Sequence, residues 1–373
     1  MKVGIITRHA VPNYGSLLQS YATQTALEEM GYDAEIIDYV RYDERAENLS
    51  KTLVKGKKWD KNFFTRMIYN AIQMPNYSKM YKKFEIYRKD FFKTTQNTYS
   101  NLEELKENPP YEDVYCSGSD QIWGKIGQDE YDKAYFLEFA KGKKCIAYSS
   151  SFGKTELTKT LSENLNNLLE KYNRILVREK SAKELLEKYN IKNVEQVLDP
   201  TLLLLQEKWE SLANKADLTK KEKYVLIYQL HDNKEFNKYA KRFAKNKGMK
   251  LLRVSPSFYH ITRSGKLIYL PTQYELLWYF KNADYILTDS FHATVFSIIF
   301  NKQFIDIVPL NKTGTRIESI LDLFEIKNRI LKNYNDFDLI DKKINYNTVN
   351  EKIKEERKKS LTLLKEAIEN KFN

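Results

Sequence analysis

A histidine stands between two apolar runs in residues 285–300, YILTDSFHATVFSIIF. The first run reads as a buried strand and the second, from Val295, as a buried helix. The polar connector, Thr288, Asp289, Ser290, Phe291 and His292, therefore sits where a helix begins. Asp289 or Ser290 can cap that helix by accepting its free N–H bonds, which puts His292 in the first turn. The N–H groups and macrodipole there favour an anion and disfavour imidazolium. An empty site thus keeps His292 neutral near pH 7, and a bound phosphate draws the proton back. That balance suits general acid and base work. A core histidine bonded to a backbone carbonyl, or a run that is simply a cap, would look the same in sequence.

Two arginines also stand at element ends. Arg178 follows the apolar RILV, and Arg316 follows TGT and opens RIESILDLF. A guanidinium fork pairs two oxygens of a phosphate or carboxylate. The bland alternatives are an ion pair of Arg178 with Glu179 or Asp199, and a surface position for Arg316. Cys116 and Cys145 have no CxxC spacing, and the four histidines are scattered, so the cysteines read as reduced thiols and no metal cluster is expected.

The elements that must position these groups alternate. VGIIT, a loop, SLLQSYATQTALEEM and AEIIDYV make strand, helix, strand within about forty residues. DVYCS, KCIAYSS, RILVRE and VEQVLD continue the first series. YVLIYQL, MKLLRVS, KLIYLP, DYILTD and QFIDIV form a second. Apolar strands alternating with helices predict an α/β fold with parallel sheets covered on both faces. We read two doubly wound Rossmann-like domains facing a cleft. The first covers 1–205, with a helical, basic and aromatic insertion at about 45–110. The second covers 206–345, and 346–373 is a charged helix packing back on the first domain. Ligands of such sheets bind at the carboxyl ends of the strands. Those ends carry Arg8, His9, Asn13 and Gly15; Ser119, Asp120 and Gln121; Arg178; Asp289, Ser290 and His292; and Thr313, Gly314, Thr315 and Arg316. Two polar rims facing each other is the outline of GT-B glycosyltransferases.

Composition narrows the partners. The chain has 373 residues, 42% hydrophobic and 30% charged, with a net charge of +12. That supports real cores and an anionic partner. No nucleic-acid motif accompanies the charge, so nucleic acid is not expected. GxGxxG and GxxxxGK[ST] are both absent, which argues against NAD or ATP. MKVGIITRHA reads as a strand rather than a signal peptide, and no run has the length of a membrane span. A cytoplasmic protein is expected. The insertion is also open to peripheral contact with the inner membrane face, with Trp59, Phe63 and Phe64 inserting beside lysines.

HAVPNYGSLLQSYATQTAL, SGSDQIWG, AYSSSFG, VREKSA, LDPTLLL and TDSFHATVFSIIF, in this order over about 1–330, resemble the polysaccharide pyruvyl transferase family. The resemblance implies a GT-B-like fold and transfer of pyruvate from phosphoenolpyruvate to a sugar as a ketal. The acceptor it implies is a cell-surface polysaccharide or its lipid-linked precursor. His292 falls on the SFH histidine, a proposed acid/base, and Arg178 on the VRE arginine, a donor ligand. Arg316, Ser290 and Ser119 complete the expected donor set. Asn13, Tyr14, Gly15 and Gln19 match NYG…LQ; with Asp120, Gln121 and Asp289 they are expected around the acceptor or cleft. Phosphoenolpyruvate is a co-substrate in this scheme, and no cofactor or metal is called for. Arg8 stands where the family often has an aromatic residue, and Ala293 where glycine is common. A nucleotide-sugar glycosyltransferase and a non-catalytic glycan-binding protein are the competing readings.

Overall fold

The protein is described by a computed structural model covering residues 1–52, 62–127, 129–309 and 314–369. Two parallel sheets organise it. The first contains β1 (Lys2–Ile6), β2 (Asp33–Tyr39), β3 (Thr94–Tyr99), β4 (Val114–Ser117), β5 (Lys144–Ser150), β6 (Tyr172–Val177) and β7 (Val194–Gln196). Its order is β3-β2-β1-β4-β5-β6-β7. The second contains β8 (Tyr224–Tyr228), β9 (Lys250–Ser255), β10 (Lys266–Tyr269), β11 (Tyr285–Thr288) and β12 (Gln303–Asp306), in the order β10-β9-β8-β11-β12. Both sheets run outward from their first strand and then restart on its other side. This is the doubly wound Rossmann order, and it creates a crevice where the direction reverses. In the first sheet that point lies between β1 and β4, with Val3 opposite Val114. In the second it lies between β8 and β11, with Ile286 opposite Leu226.

The connecting helices follow the apolar spacing. In the first unit they are α1 (Tyr14–Glu29), α2 (Leu49–Thr52), α3 (Phe63–Phe91), α4 (Leu102–Glu107), α5 (Lys159–Leu169) and α6 (Lys180–Lys188). The second has α7 (Gln206–Ala213), α8 (Lys234–Asn246), α9 (Gln273–Asn282), α10 (Phe291–Ile299) and α11 (Thr315–Leu323), and α12 (Tyr346–Glu369) ends the described chain. α1 is almost wholly buried, from Tyr14 through Leu27, because it is covered by sheet on one side and by the second unit on the other.

The insertion differs from the all-helical segment the sequence suggests. After α3 the chain forms β3, which pairs in parallel with β2 as the sheet's edge. Its sequence, TTQNTY, is polar with three exposed residues, so no apolar run announces it. Its threonines suit an edge strand that is half solvated. Trp59, and Thr313 of the TGT stretch, lie outside the described residues.

One apolar core runs through both units. Tyr14, Phe84, Leu202, Trp209, Phe296 and Ile368 belong to the same cluster. α12 crosses from one unit to the other. Near its start the Tyr346 hydroxyl donates to Ser297 O at 3.3 Å. Further along, Ser360 Oγ accepts from Leu198 N at 3.0 Å, and Lys144 Nζ donates to Ile368 O at 2.7 Å.

Candidate active site

The two switch points face one another. Between them is a small cleft open to solvent. Asn13, Asp120 and Gln121 line it from the first unit. Leu230, His231, Asp289, Ser290, His292 and Arg316 line it from the second. A narrow crevice adjoins it and is lined by Arg178, Asp199, Phe291 and Arg316 among others.

His292 sits in the first turn of α10, with Ser290 at the N-cap. Its Nε2 is buried without a hydrogen-bond partner among the described residues and lies 3.7 Å from Asp199 Oδ2. Burial pushes the imidazole pKa down, and Arg178 and Arg316 push the same way. Asp199 and Asp120 pull up, but the balance is below the ordinary histidine value. The ring is therefore neutral near pH 7, as the helix-start reasoning requires.

Arg178, at the end of β6, is buried. Its Nε donates to Glu179 at 2.8 Å and its Nη1 to Asp199 Oδ2 at 3.2 Å. The ion-pair alternative is thus a fact of the structure, but it leaves Nη2 buried and unpartnered among the described residues. Arg316, from the first turn of α11, is held by Gln121. With its amide oxygen turned to the guanidinium, Gln121 accepts from Nη1 and Nη2 at 2.7 and 2.8 Å. Arg316 Nε has no partner among the described residues. Both guanidinium groups approach the ring of Phe291, Arg178 at 4.5 Å and Arg316 at 5.9 Å from its centroid. A cation over a ring contributes about 0.5–2 kcal/mol, so Phe291 fixes two like charges close together. Burial, then Arg178, lowers the pKa of Arg316. A cationic pair of this kind is relieved by an anion.

Asp120 turns at the end of β4 in the left-handed region, φ 82°, a conformation aspartate tolerates better than most residues. The turn aims its carboxylate at α1, where Ser16 Oγ donates to it at 2.7 Å. Burial pushes this carboxyl up, but Arg178 and His292 outweigh it, and Asp120 stays well below the ordinary range. It is an ionised group in the cleft wall.

Other expected residues do different jobs. Asp289 and Ser290 do not cap α10 with their side chains. Asp289 instead accepts from Leu230 N at 2.7 Å and from His231 N at 3.0 Å, because the loop after β8 lies beside it. The start of α10 is thereby left facing the cleft without a side-chain cap. Ser119 is fully buried and does not line the cleft. Its hydroxyl donates to Asp199 at 3.4 Å and accepts from Arg178 Nη1 at 3.5 Å, so it supports Arg178. Gln19 is also fully buried, donating to Thr7 Oγ1 and Ser16 O. Tyr14 reaches across to Pro271 O, a contact between units. Asn13 caps α1, accepting from Gly15 N at 2.8 Å. Gly15 lies against the His292 ring.

Sequence order does not single out His231, Phe291 or Ser16 as site residues, and it marks Asp199 only as an ion-pair alternative for Arg178. His231 had a usable signal, since it follows β8, the first strand of its sheet, and the carboxyl-end rule applies there as well. Ser16 and Phe291 show their roles only through contacts made in three dimensions.

Fold and site together define a two-lobed α/β protein of GT-B architecture, with a polar, partly cationic site where the two switch points meet. The sequence pattern described as polysaccharide pyruvyl transferase matches residues 13–308, and the chain belongs to that family. Among curated proteins none matches this sequence. Solved structures share the fold. A protein described as a UDP-N-acetylglucosamine 2-epimerase from Listeria monocytogenes superposes with a TM-score of 0.58 at 10% identity, covering 100% of this chain and 97% of that one. The UDP-N-acetylglucosamine 2-epimerase from Rickettsia bellii gives 0.51 at 13%, covering 99% and 97%.

Proposed function

We propose that the protein transfers pyruvate from phosphoenolpyruvate to a sugar of a cell-surface glycan or its precursor, forming a ketal, from the cytoplasm. The observation that carries this reading is the convergence beside one cleft of three nitrogens without a partner among the described residues: His292 Nε2, Arg178 Nη2 and Arg316 Nε. Phosphoenolpyruvate brings a phosphate and a carboxylate. Two forked cations and the start of α10 match that pair of anions.

In this scheme the vinyl carbon takes a proton and C2 becomes electrophilic. A sugar hydroxyl adds to C2, the C–O bond to phosphate breaks, and a second hydroxyl closes the ring. The products are the ketal and inorganic phosphate. His292 supplies or takes a proton, and a well-placed group of this kind contributes about 10²–10⁴ in rate. Asp120, ionised and within the cleft, orients an acceptor hydroxyl. These steps call on no metal or cofactor.

The test is phosphate release from phosphoenolpyruvate across a panel of glycan acceptors. Acceptor-dependent release, lost in His292→Ala, supports the reading. The fold shared with UDP-N-acetylglucosamine epimerases keeps a nucleotide-sugar glycosyltransferase as the second reading. Turnover of a UDP-sugar with the same acceptors, and none with phosphoenolpyruvate, would establish that one instead.

A further inference from the structure

The first part of α3 has no buried side chain. Its buried residues are Met80, Phe84, Tyr87 and Phe91, all in the second part. Yet the first part carries Phe63, Phe64, Met67, Ile68 and Ile72, exposed by 73, 69, 51, 47 and 53%. At 100° per residue these five fall within one half of the helix circumference. The short helix Phe258–Thr262 of the second unit adds Phe258, Tyr259 and Ile261, also exposed. The two elements are tied together: Phe258 N donates to Asn76 Oδ1 at 3.0 Å, and the Tyr259 hydroxyl donates to Ile72 O. Eight large apolar side chains are thus exposed on two elements, from separate units, that touch each other, and exposure on that scale is something a soluble surface ordinarily avoids.

Cations predominate around the patch. Residues 63–84 contain Arg66, Lys79, Lys82 and Lys83 and no acid. Residues 257–269 contain Lys266 and Arg263 and no acid, with Arg263 paired to Asp232 at 3.3 Å. A second copy of this chain docked face to face would set these cations against each other, whereas an anionic surface would be attracted. Behind the patch the same two elements wall a small open cavity, with Gln73, Asn76 and Tyr77 on one side and Ser257 and His260 on the other. Leu230 lines both this cavity and the active-site cleft.

We infer that this patch is a docking face for an anionic lipid bilayer, seating the protein in the interface with the mouth of its cleft beside the lipid. The apolar side chains enter the acyl boundary and the lysines meet the headgroups. An acceptor anchored in the same bilayer reaches the cleft past Leu230. Only this last statement rests on the proposed reaction; the docking itself does not.

Sedimentation with phosphatidylglycerol and with phosphatidylcholine vesicles tests it, together with the mass of the free protein in solution. The wild type should partition onto phosphatidylglycerol vesicles, more weakly onto phosphatidylcholine, and less as salt rises. The triple variant Phe63→Ser, Phe64→Ser, Ile68→Ser should bind at least about 10-fold more weakly with an unchanged melting temperature, since the side chains it alters are exposed. Wild type left in the supernatant with anionic vesicles at low salt would overturn the inference. So would equal binding by the triple variant, or a dimer that the triple substitution splits without any vesicle binding. Vesicle binding is scored without turnover, so its failure is separable from failure of the proposed reaction.

Discussion

Gly15 lies directly against the imidazole of His292. A Cβ on Gly15 would come within 2.2 Å of His292 Nδ1 and 2.7 Å of Cγ. Only a residue without a side chain lets α1 and α10 bring their first turns this close, and that approach places the ring in the cleft. Gly15→Ala should therefore move the histidine while leaving both helices intact. We expect acceptor-dependent phosphate release to fall by at least about 10-fold, since misplacement by an ångström costs that much or more. Circular dichroism should stay unchanged. Full activity in Gly15→Ala would show that the close approach is not needed.

Arg316 and Arg178 should respond differently to substitution. Arg316 is held by the neutral amide of Gln121, so Arg316→Lys leaves no carboxylate stranded. It should weaken phosphoenolpyruvate binding by about 10-fold, the loss of roughly one charge-assisted hydrogen bond, with little change in melting temperature. Arg178 is buried between Glu179 and Asp199. Arg178→Ala strands both carboxylates, and breaking a buried pair costs about 3–5 kcal/mol. Urea denaturation of the two variants separates a binding role from a combined binding and structural one.

Two histidines give the protein an acid sensitivity with a definite sign. Burial, then Arg263 and Arg253, pushes His260 down to about 4, and its Nδ1 lies 2.8 Å from Ser255 Oγ. The unfolded chain takes a proton near pH 6.5 that the folded chain refuses. The stability contributed by neutral His260 is complete above that pH and is lost between about 6.5 and 4. His292 has the same sign through its burial. His260→Gln should flatten the fall in urea midpoint between pH 7 and 5. An unchanged slope would mean that the folded protein protonates His260 as readily as the unfolded chain does.

Much of this architecture is legible from residue order alone. Strand and helix alternation forecasts both parallel sheets, and the carboxyl-end rule leads to His292, Asp120, Gln121 and Arg316, all of which line the cleft. β3 is not legible, because an edge strand written TTQNTY carries no apolar signal. The supporting roles of Ser119 and Gln19 are not legible either. A polar residue in a loop motif looks the same whether it faces a ligand or holds a neighbour from behind. Asp289 shows the same ambiguity: cap geometry is local and readable, but its chosen partners, Leu230 N and His231 N, come from a loop 58–59 residues away in sequence.

The central claim is that the cleft between the two switch points takes phosphoenolpyruvate on its arginines and the start of α10. Titration calorimetry of the purified protein with phosphoenolpyruvate measures this without knowledge of the acceptor. Saturable binding at one site per chain is expected in the wild type, weakened in Arg316→Lys, with no comparable binding of UDP-sugars. Absence of any heat with phosphoenolpyruvate, alongside tight binding of a UDP-sugar that Arg316→Lys impairs, would contradict it.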